Sequence, residues 1–205
     1  MLETLISFIA ASMLLTITPG PDIIYVLVQS ITNSKKHGIA TAFGLVSGII
    51  IHTTLVAFGV SAIIKQSETI FFGIKLFGAL YLLYLAYVTY KSNEEVLLQN
   101  RADKKGLLQL FKQGFVMNVL NPKVSIFFLA FFPGFLYSNT QSTVVQFYVL
   151  GLLFMFQALL IFSLVAMLSG SFASYLKKHP TFNSNIKWFK IIVFIGIAIF
   201  ILFSN

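Results

Sequence analysis

Six apolar runs, each near the length a helix needs to cross a bilayer, dominate this chain. They fall at roughly 2–29, 38–64, 69–90, 113–136, 144–168 and 188–203. A helix crosses about 30 Å of hydrocarbon with roughly 20 residues. The last run is the shortest, because only Ile191 to Phe203 is strongly apolar. The one clearly polar stretch, Lys91 to Lys112, reads as a solvated loop with a short amphipathic helix around Gly106–Phe111. No soluble domain of useful size fits between the runs. Composition agrees: 58% of residues are apolar and 10% charged, against about 25% charged in an ordinary soluble domain. A soluble core of 205 residues cannot hide that much apolar surface. The expected fold is an all-α integral membrane protein of six transmembrane helices.

The first run does not read as a cleavable signal peptide. Glu3 precedes it without a Lys or Arg, and Thr18-Pro19-Gly20-Pro21-Asp22 lies in its interior. Lys and Arg set the expected orientation. Lys35 and Lys36 follow run one, and Lys91, Arg101, Lys104, Lys105 and Lys112 follow run three. Lys177, Lys178, Lys187 and Lys190 follow run five, whereas the opposite face has Lys65 alone. The basic face is expected in the cytoplasm, with both termini outside. The net charge of +8 is thus a topology signal and not a nucleic-acid footprint, since no nucleic-acid-binding motif accompanies it.

Two of the runs are broken. Proline inside a helix removes a hydrogen bond and clashes with the carbonyl four residues back. In run one, Pro19 and Pro21 flank Gly20, which frees the carbonyls of Leu15 and Ile17 and pushes Thr18 and Gly20 out of the α region. In run four, Asn118-Val119-Leu120-Asn121-Pro122-Lys123 frees the carbonyl of Asn118. Each break is tolerated in a bilayer only if protein or a wet cavity covers it. Each is also followed by a charge, Asp22 or Lys123, and a charge at mid-bilayer costs about 2.5–3.5 kcal/mol on insertion scales. Both costs fall if the breaks meet, with Asp22 and Lys123 close or sharing a water-filled cavity. The chain then reads as two inverted three-helix repeats crossing at their broken helices, a plan common among transporters. Its expected organisation is one transmembrane domain, 1–205. Repeat one covers about 1–90, a cytoplasmic loop about 91–112, and repeat two about 113–205.

The breaks carry chemistry. After Pro21 the N–H groups of Asp22, Ile23 and Ile24 form a positive helix end suited to a carboxylate, and the same is expected after Pro122. The freed carbonyls and Asp22 suit an ammonium, so a zwitterion such as an amino acid fits the pair. Asp22 is also a candidate proton carrier, or alternatively a cap on the restarted helix. Asn118 and Asn121 either line a cavity or satisfy freed backbone. Lys123 reads as a partner of the substrate carboxylate, a counter-ion to Asp22, or both. Lys75, near the outer face, reads as snorkelling. Ala40, Gly44, Gly48 and His52 form a stripe at four-residue spacing, small residues for close packing and then a His for proton movement or a backbone bond. Gln157 is a lone polar residue with the same two readings. The 23 Phe and 8 Tyr read mainly as lipid-facing bulk and interfacial belt. No two His stand at metal-ligand spacing, no cofactor motif is present, and nothing resembles a catalytic pair. The chain has no Cys, which excludes a thiol–disulfide relay.

Thr18-Pro19-Gly20-Pro21-Asp22 resembles the TPGPD-type motif of the LysE/RhtB family of amino-acid exporters. The stretch from Asn118 to Lys123, with Phe127-Phe128-Leu129-Ala130-Phe131-Phe132-Pro133 after it, resembles that family's second signature. Gly78-Ala79-Leu80-Tyr81-Leu82 and the Gly44/Gly48/His52 pattern are also similar. The resemblance implies a bacterial cytoplasmic-membrane exporter of amino acids or their derivatives, driven by protons and forming a homo-oligomer. The expected site contains Thr18, Pro19, Gly20, Pro21, Asp22, Asn118, Asn121, Pro122, Lys123, His52 and Gln157. The pairing of Asp22 with Lys123 leans towards a neutral amino acid. The alternatives are a non-transporting membrane subunit and a channel.

Overall fold

The structure is a computed structural model, and it describes residues 1–92, 105–171 and 182–203. These residues are almost wholly helical, with no strand among them. Helices α1 (Leu2–Ile17) and α2 (Pro21–Thr32) make the first bent pair. Helix α3 (Lys35–Leu55) continues through a π turn, Val56–Val60, into Ser61–Gln66, and α4 is Glu68–Lys91. Helices α5 (Leu107–Val119) and α6 (Pro122–Ile126) make the second bent pair, α6 continuing through a π turn, Phe127–Phe131, and a 3-10 turn, Phe132–Phe135. Helices α7 (Thr143–Met167) and α8 (Phe182–Phe203) follow. Among the described residues, four helices are long and apolar enough to cross a membrane alone: Lys35–Ile63, Glu68–Lys91, Thr143–Met167 and Ser184–Phe203. The bent pairs, at 58° and 49°, bring the total to six when each pair counts as one span.

Two boundaries differ from the sequence expectation. The amphipathic stretch before run four is not a separate helix in a loop: α5 starts at Leu107 and runs unbroken to Val119. Leu110 is fully buried and Gly114 sits against the backbone of Thr41, so packing extends the helix towards the loop. The last run also lengthens, because α8 starts at Phe182 and supplies a span of 20 residues. Lys187 and Lys190 therefore lie on a helix and not in a loop. Lys187 Nζ donates to the Ser92 carbonyl at 2.8 Å and stands 5.7 Å from the Tyr90 ring, which in turn packs on Trp188 at 6.1 Å. That cluster ties the end of α4 to the start of α8. Residues 93–104, the centre of the expected loop, and Lys177, Lys178 and His179 lie outside the described residues.

The core corrects the reading of the aromatics. Phe8, Phe127, Phe128, Phe131, Phe132 and Phe147 are all less than 2% exposed. Phe128 stacks on Phe132 at 4.0 Å and Phe127 on Phe131 at 4.4 Å. Lipid is as apolar as a protein core, so helix association rests on close packing and not on hiding apolar groups. Large rings on the second broken helix supply that contact. Exposed Phe58, Phe77 and Phe156 keep the lipid-facing role.

Helix pairing follows the two halves. The first bent pair packs on α7 and the second on α3. Helix α3 meets α7, and α4 meets α8. Exchanging spans one, two and three for four, five and six carries each of these pairings into itself or its partner. The glycine stripe explains the closest approach. A Cβ at Gly44 would strike the Phe111 carbonyl oxygen, and one at Gly48 would stand 2.7 Å from Asn118 Oδ1. Only glycine there lets α3 bring His52 against the second break.

Candidate functional site

The residues before Pro19, Pro21 and Pro122 adopt the extended backbone that proline favours. Thr18 has φ −58° and ψ 111°, Gly20 φ −143° and ψ −176°, and Asn121 φ −77° and ψ 108°. Two of the three carbonyls expected to be free, those of Leu15 and Asn118, meet side chains from the opposite half of the chain. Lys123 Nζ donates to the Leu15 carbonyl at 3.0 Å and to the Thr18 carbonyl at 3.2 Å. The Asn118 carbonyl oxygen lies 3.1 Å from His52 Nε2 and accepts from the Asn121 N–H at 3.0 Å.

Asp22 and Lys123 do line one cavity, but no hydrogen bond joins them directly. Asn121 stands between. Its Nδ2 donates to Asp22 Oδ2 at 2.8 Å, and its Oδ1 accepts from the Lys123 N–H at 3.0 Å, which caps α6. Asp22 is therefore not the helix cap; Gly20 occupies that position on α2, and its carbonyl accepts from the Ile24 N–H at 3.1 Å. The α2 end thus keeps the Asp22 and Ile23 N–H groups as its open donors, two and not three. The N–H groups of Lys123, Val124 and Ser125 all go to Asn121, so α6 offers no open anion site of the kind expected after Pro122. Pro21 and Pro122 are themselves exposed.

The cavity has a volume of about 30 Å³; Thr18, Asp22, Asn118, Asn121 and Lys123 line it together with apolar Leu15, Ile49, Phe154 and Phe162. That is room for one or two waters, not for an amino acid. Two buried oxygens of its lining residues, Asp22 Oδ1 and Asn118 Oδ1, have no hydrogen-bond partner. Both are acceptors, so each is an open position for a donor at the crossing of the breaks. Gln157 is near but outside this lining. Its Nε2 donates to Thr16 Oγ1 at 3.0 Å, and its Oε1 is a further unpaired acceptor. His52 borders a separate cavity of about 100 Å³ together with Val56, Val119, Ser125 and Phe128. Lys75 is only 7% exposed and its Nζ stands 5.7 Å from the Phe71 ring.

Sequence reasoning missed two features. An apolar groove of about 630 Å³ lies between α2, α7 and α8, lined by Pro19, Ile23, Leu27, Leu164 and Phe189 among others. Ile23 lines both this groove and the cavity at the helix breaks. Its residues come from three separate runs, each of which reads simply as apolar. The second is Gln146, 1% exposed, whose amide makes four hydrogen bonds with the backbone of Tyr137, Ser138 and Gln141. It pins the connection ahead of α7 and stands apart from the cavity.

The LysE type translocator family matches the chain over residues 13–205. The chain belongs to that family. As a LysE family member it is a multi-pass membrane transport protein and not an enzyme. Homoserine/homoserine lactone efflux proteins of Salmonella typhimurium and Salmonella typhi are each 28% identical to it over 171 residues, which is 83% of this chain and 82% of the relative. No solved structure matches the chain.

Proposed function

We propose that this LysE family protein exports a small neutral amino acid or its derivative across the bacterial cytoplasmic membrane, with the substrate held where the two helix breaks cross. The observation that carries the reading is the convergence of Asp22, Asn121, Lys123 and the broken carbonyls of α1 on one cavity, from positions 99 to 108 residues apart in sequence. Such a site offers a carboxylate pocket at the α2 end and an ammonium pocket at Asp22 and the freed carbonyls. The relatives named for homoserine and its lactone make that four-carbon compound the first candidate. The basic loops face the cytoplasm in this reading, with both termini outside, and the domain is a pair of inverted three-helix repeats. The apolar groove then opens on the cytoplasmic half and leads past Ile23 to the cavity. The pocket beside His52 lies on the outer half. Asp22 is the proposed proton carrier, and a homo-oligomer in the inner membrane is the expected assembly.

Counterflow in proteoliposomes tests this. Vesicles loaded with homoserine, homoserine lactone, threonine, leucine or lysine in turn are expected to take up label for one chemical group, homoserine included. Preference for lysine would overturn the neutral substrate. Absence of exchange by folded, inserted protein would favour a non-transporting subunit. A steady ohmic current in a bilayer recording would favour a channel.

A further inference from the structure

The groups that Lys123 touches are what an ammonium-binding site is made of. Its Nζ bonds the Leu15 and Thr18 carbonyls and stands 5.8 Å from the Phe194 ring, with Asp22 in the same cavity. Carbonyl oxygens, an aromatic face and a carboxylate are the common receptors of alkylammonium ions. Gly20 borders the ammonium: a Cβ there would be in ordinary van der Waals contact with Nζ, at 3.6 Å. The occupant is the chain's own side chain. It reaches the pocket from the other half of the protein, 108 residues from Leu15 and 105 from Thr18. With Lys123 in place the cavity holds about 30 Å³, too little for any amino acid. Something must leave before substrate binds, and a long side chain on the first turn of α6 is the lightest part to move. Two charges bear on it from opposite senses, Asp22 attracting and Lys190 of α8 repelling.

We propose that Lys123 is a tethered stand-in for the substrate's amino group. It fills the ammonium pocket of the empty transporter, and the substrate displaces it from the Leu15 and Thr18 carbonyls. This role differs from that of a substrate-carboxylate partner, which would hold the substrate and not yield to it. A device of this kind keeps the freed carbonyls paired between transport cycles, so the empty site neither leaks nor collapses. It also sets substrate class: a free primary amine is required, and N-acylated amino acids are excluded. The inference rests on the efflux reading above.

The test uses wild-type protein in proteoliposomes and an amine-reactive acetylating reagent, with labelling of Lys123 normalised to that of Lys36. Saturating homoserine is expected to raise Lys123 labelling by about threefold or more, as when a ligand shifts most molecules to a second state. Protection of Lys123 by homoserine, or no change, would overturn the proposal. A second arm uses Lys123→Met. Ethylammonium is expected to inhibit homoserine exchange in this variant at concentrations that leave wild type unaffected, and homoserine's half-saturation is expected to fall. Equal sensitivity of the two proteins to ethylammonium would overturn the proposal even if labelling rose. Wild-type homoserine exchange, measured in the same vesicles, separates the two failures. Its absence defeats the efflux reading and this inference together, whereas exchange with protection of Lys123 defeats this inference alone.

Discussion

The two helix breaks share a sequence grammar, a proline preceded by extended backbone and followed by a charge, yet they are finished differently. The α5/α6 break is closed by fixed groups. Asn121 caps α6, and His52, itself 4% exposed, faces the Asn118 carbonyl from a helix held close by Gly44 and Gly48. The α1/α2 break is closed by a flexible one. Its carbonyls at Leu15 and Thr18 are paired by the ammonium of Lys123, whereas an unpaired side-chain oxygen is common to both breaks, Asp22 Oδ1 and Asn118 Oδ1. A break finished by short side chains and backbone is a hinge point of fixed shape. A break finished by a four-carbon tether can be vacated. Under the proposed function, this asymmetry makes the first break the one that binds and the second the one that positions.

If that division is right, substitutions at the two breaks separate in kind. Asp22→Asn should have the largest effect. It removes the charge of the first break while keeping the hydrogen bond to Asn121, and loss of a charged hydrogen-bonding group costs about 1.5–3 kcal/mol, so homoserine counterflow should fall about 10- to 100-fold. Membrane insertion and detergent-extracted melting should stay near wild type; full activity in this variant would break the comparison. Asn121→Ala joins the two breaks and should damage both readouts. It deletes a cap worth about 1 kcal/mol and leaves Asp22 Oδ2 without its donor, so melting in detergent should drop and exchange should slow about tenfold.

His52→Ala should act on stability instead. It takes one partner from the Asn118 carbonyl, at a cost of about 1–3 kcal/mol, with little change in half-saturation for substrate. A large rise in half-saturation would move His52 from the positioning break to the binding one. Gly48→Ala should cost about 1–3 kcal/mol of overpacking, because Asn118 Oδ1 can rotate away but Asn118 Cβ, 2.9 Å from the added atom, cannot. Gly44→Ala should cost more, since it meets the backbone at Phe111. Equal melting of the two glycine variants would show that α3 and α5 slide freely past each other.

Much of the site was legible in order and not in pairing. The prolines named the freed carbonyls Leu15, Ile17 and Asn118, and the first and last of these take side-chain partners from the opposite half. Nothing in the sequence said that Lys123 would choose the carbonyls over Asp22, or that Asn121 would come between the two charges. Either arrangement satisfies the same residues, and the choice depends on the angle at which the breaks cross. The helix end after Pro122 looked as open as the one after Pro21, but Asn121 at the capping position closes it. The buried phenylalanines were misread for a similar reason. A helix in a bilayer has apolar surroundings on every side, so hydrophobicity does not report which face meets lipid and which meets protein.

The sequence by itself determined the solvent, the number of apolar runs and the places where helices must break. Bilayer thickness and the missing N–H of proline permit few alternatives there. It also determined where helices could approach closely, because glycine at 44 and 48 leaves no side chain to hold them apart. The tertiary structure decided what fills the space at the crossing. It put the Lys123 ammonium on the Leu15 and Thr18 carbonyls, left Asp22 Oδ1 and Asn118 Oδ1 without donors, and set the apolar groove beside Ile23. Those outcomes depend on distances between segments about 100 residues apart, which local chemistry constrains only after packing has brought them together.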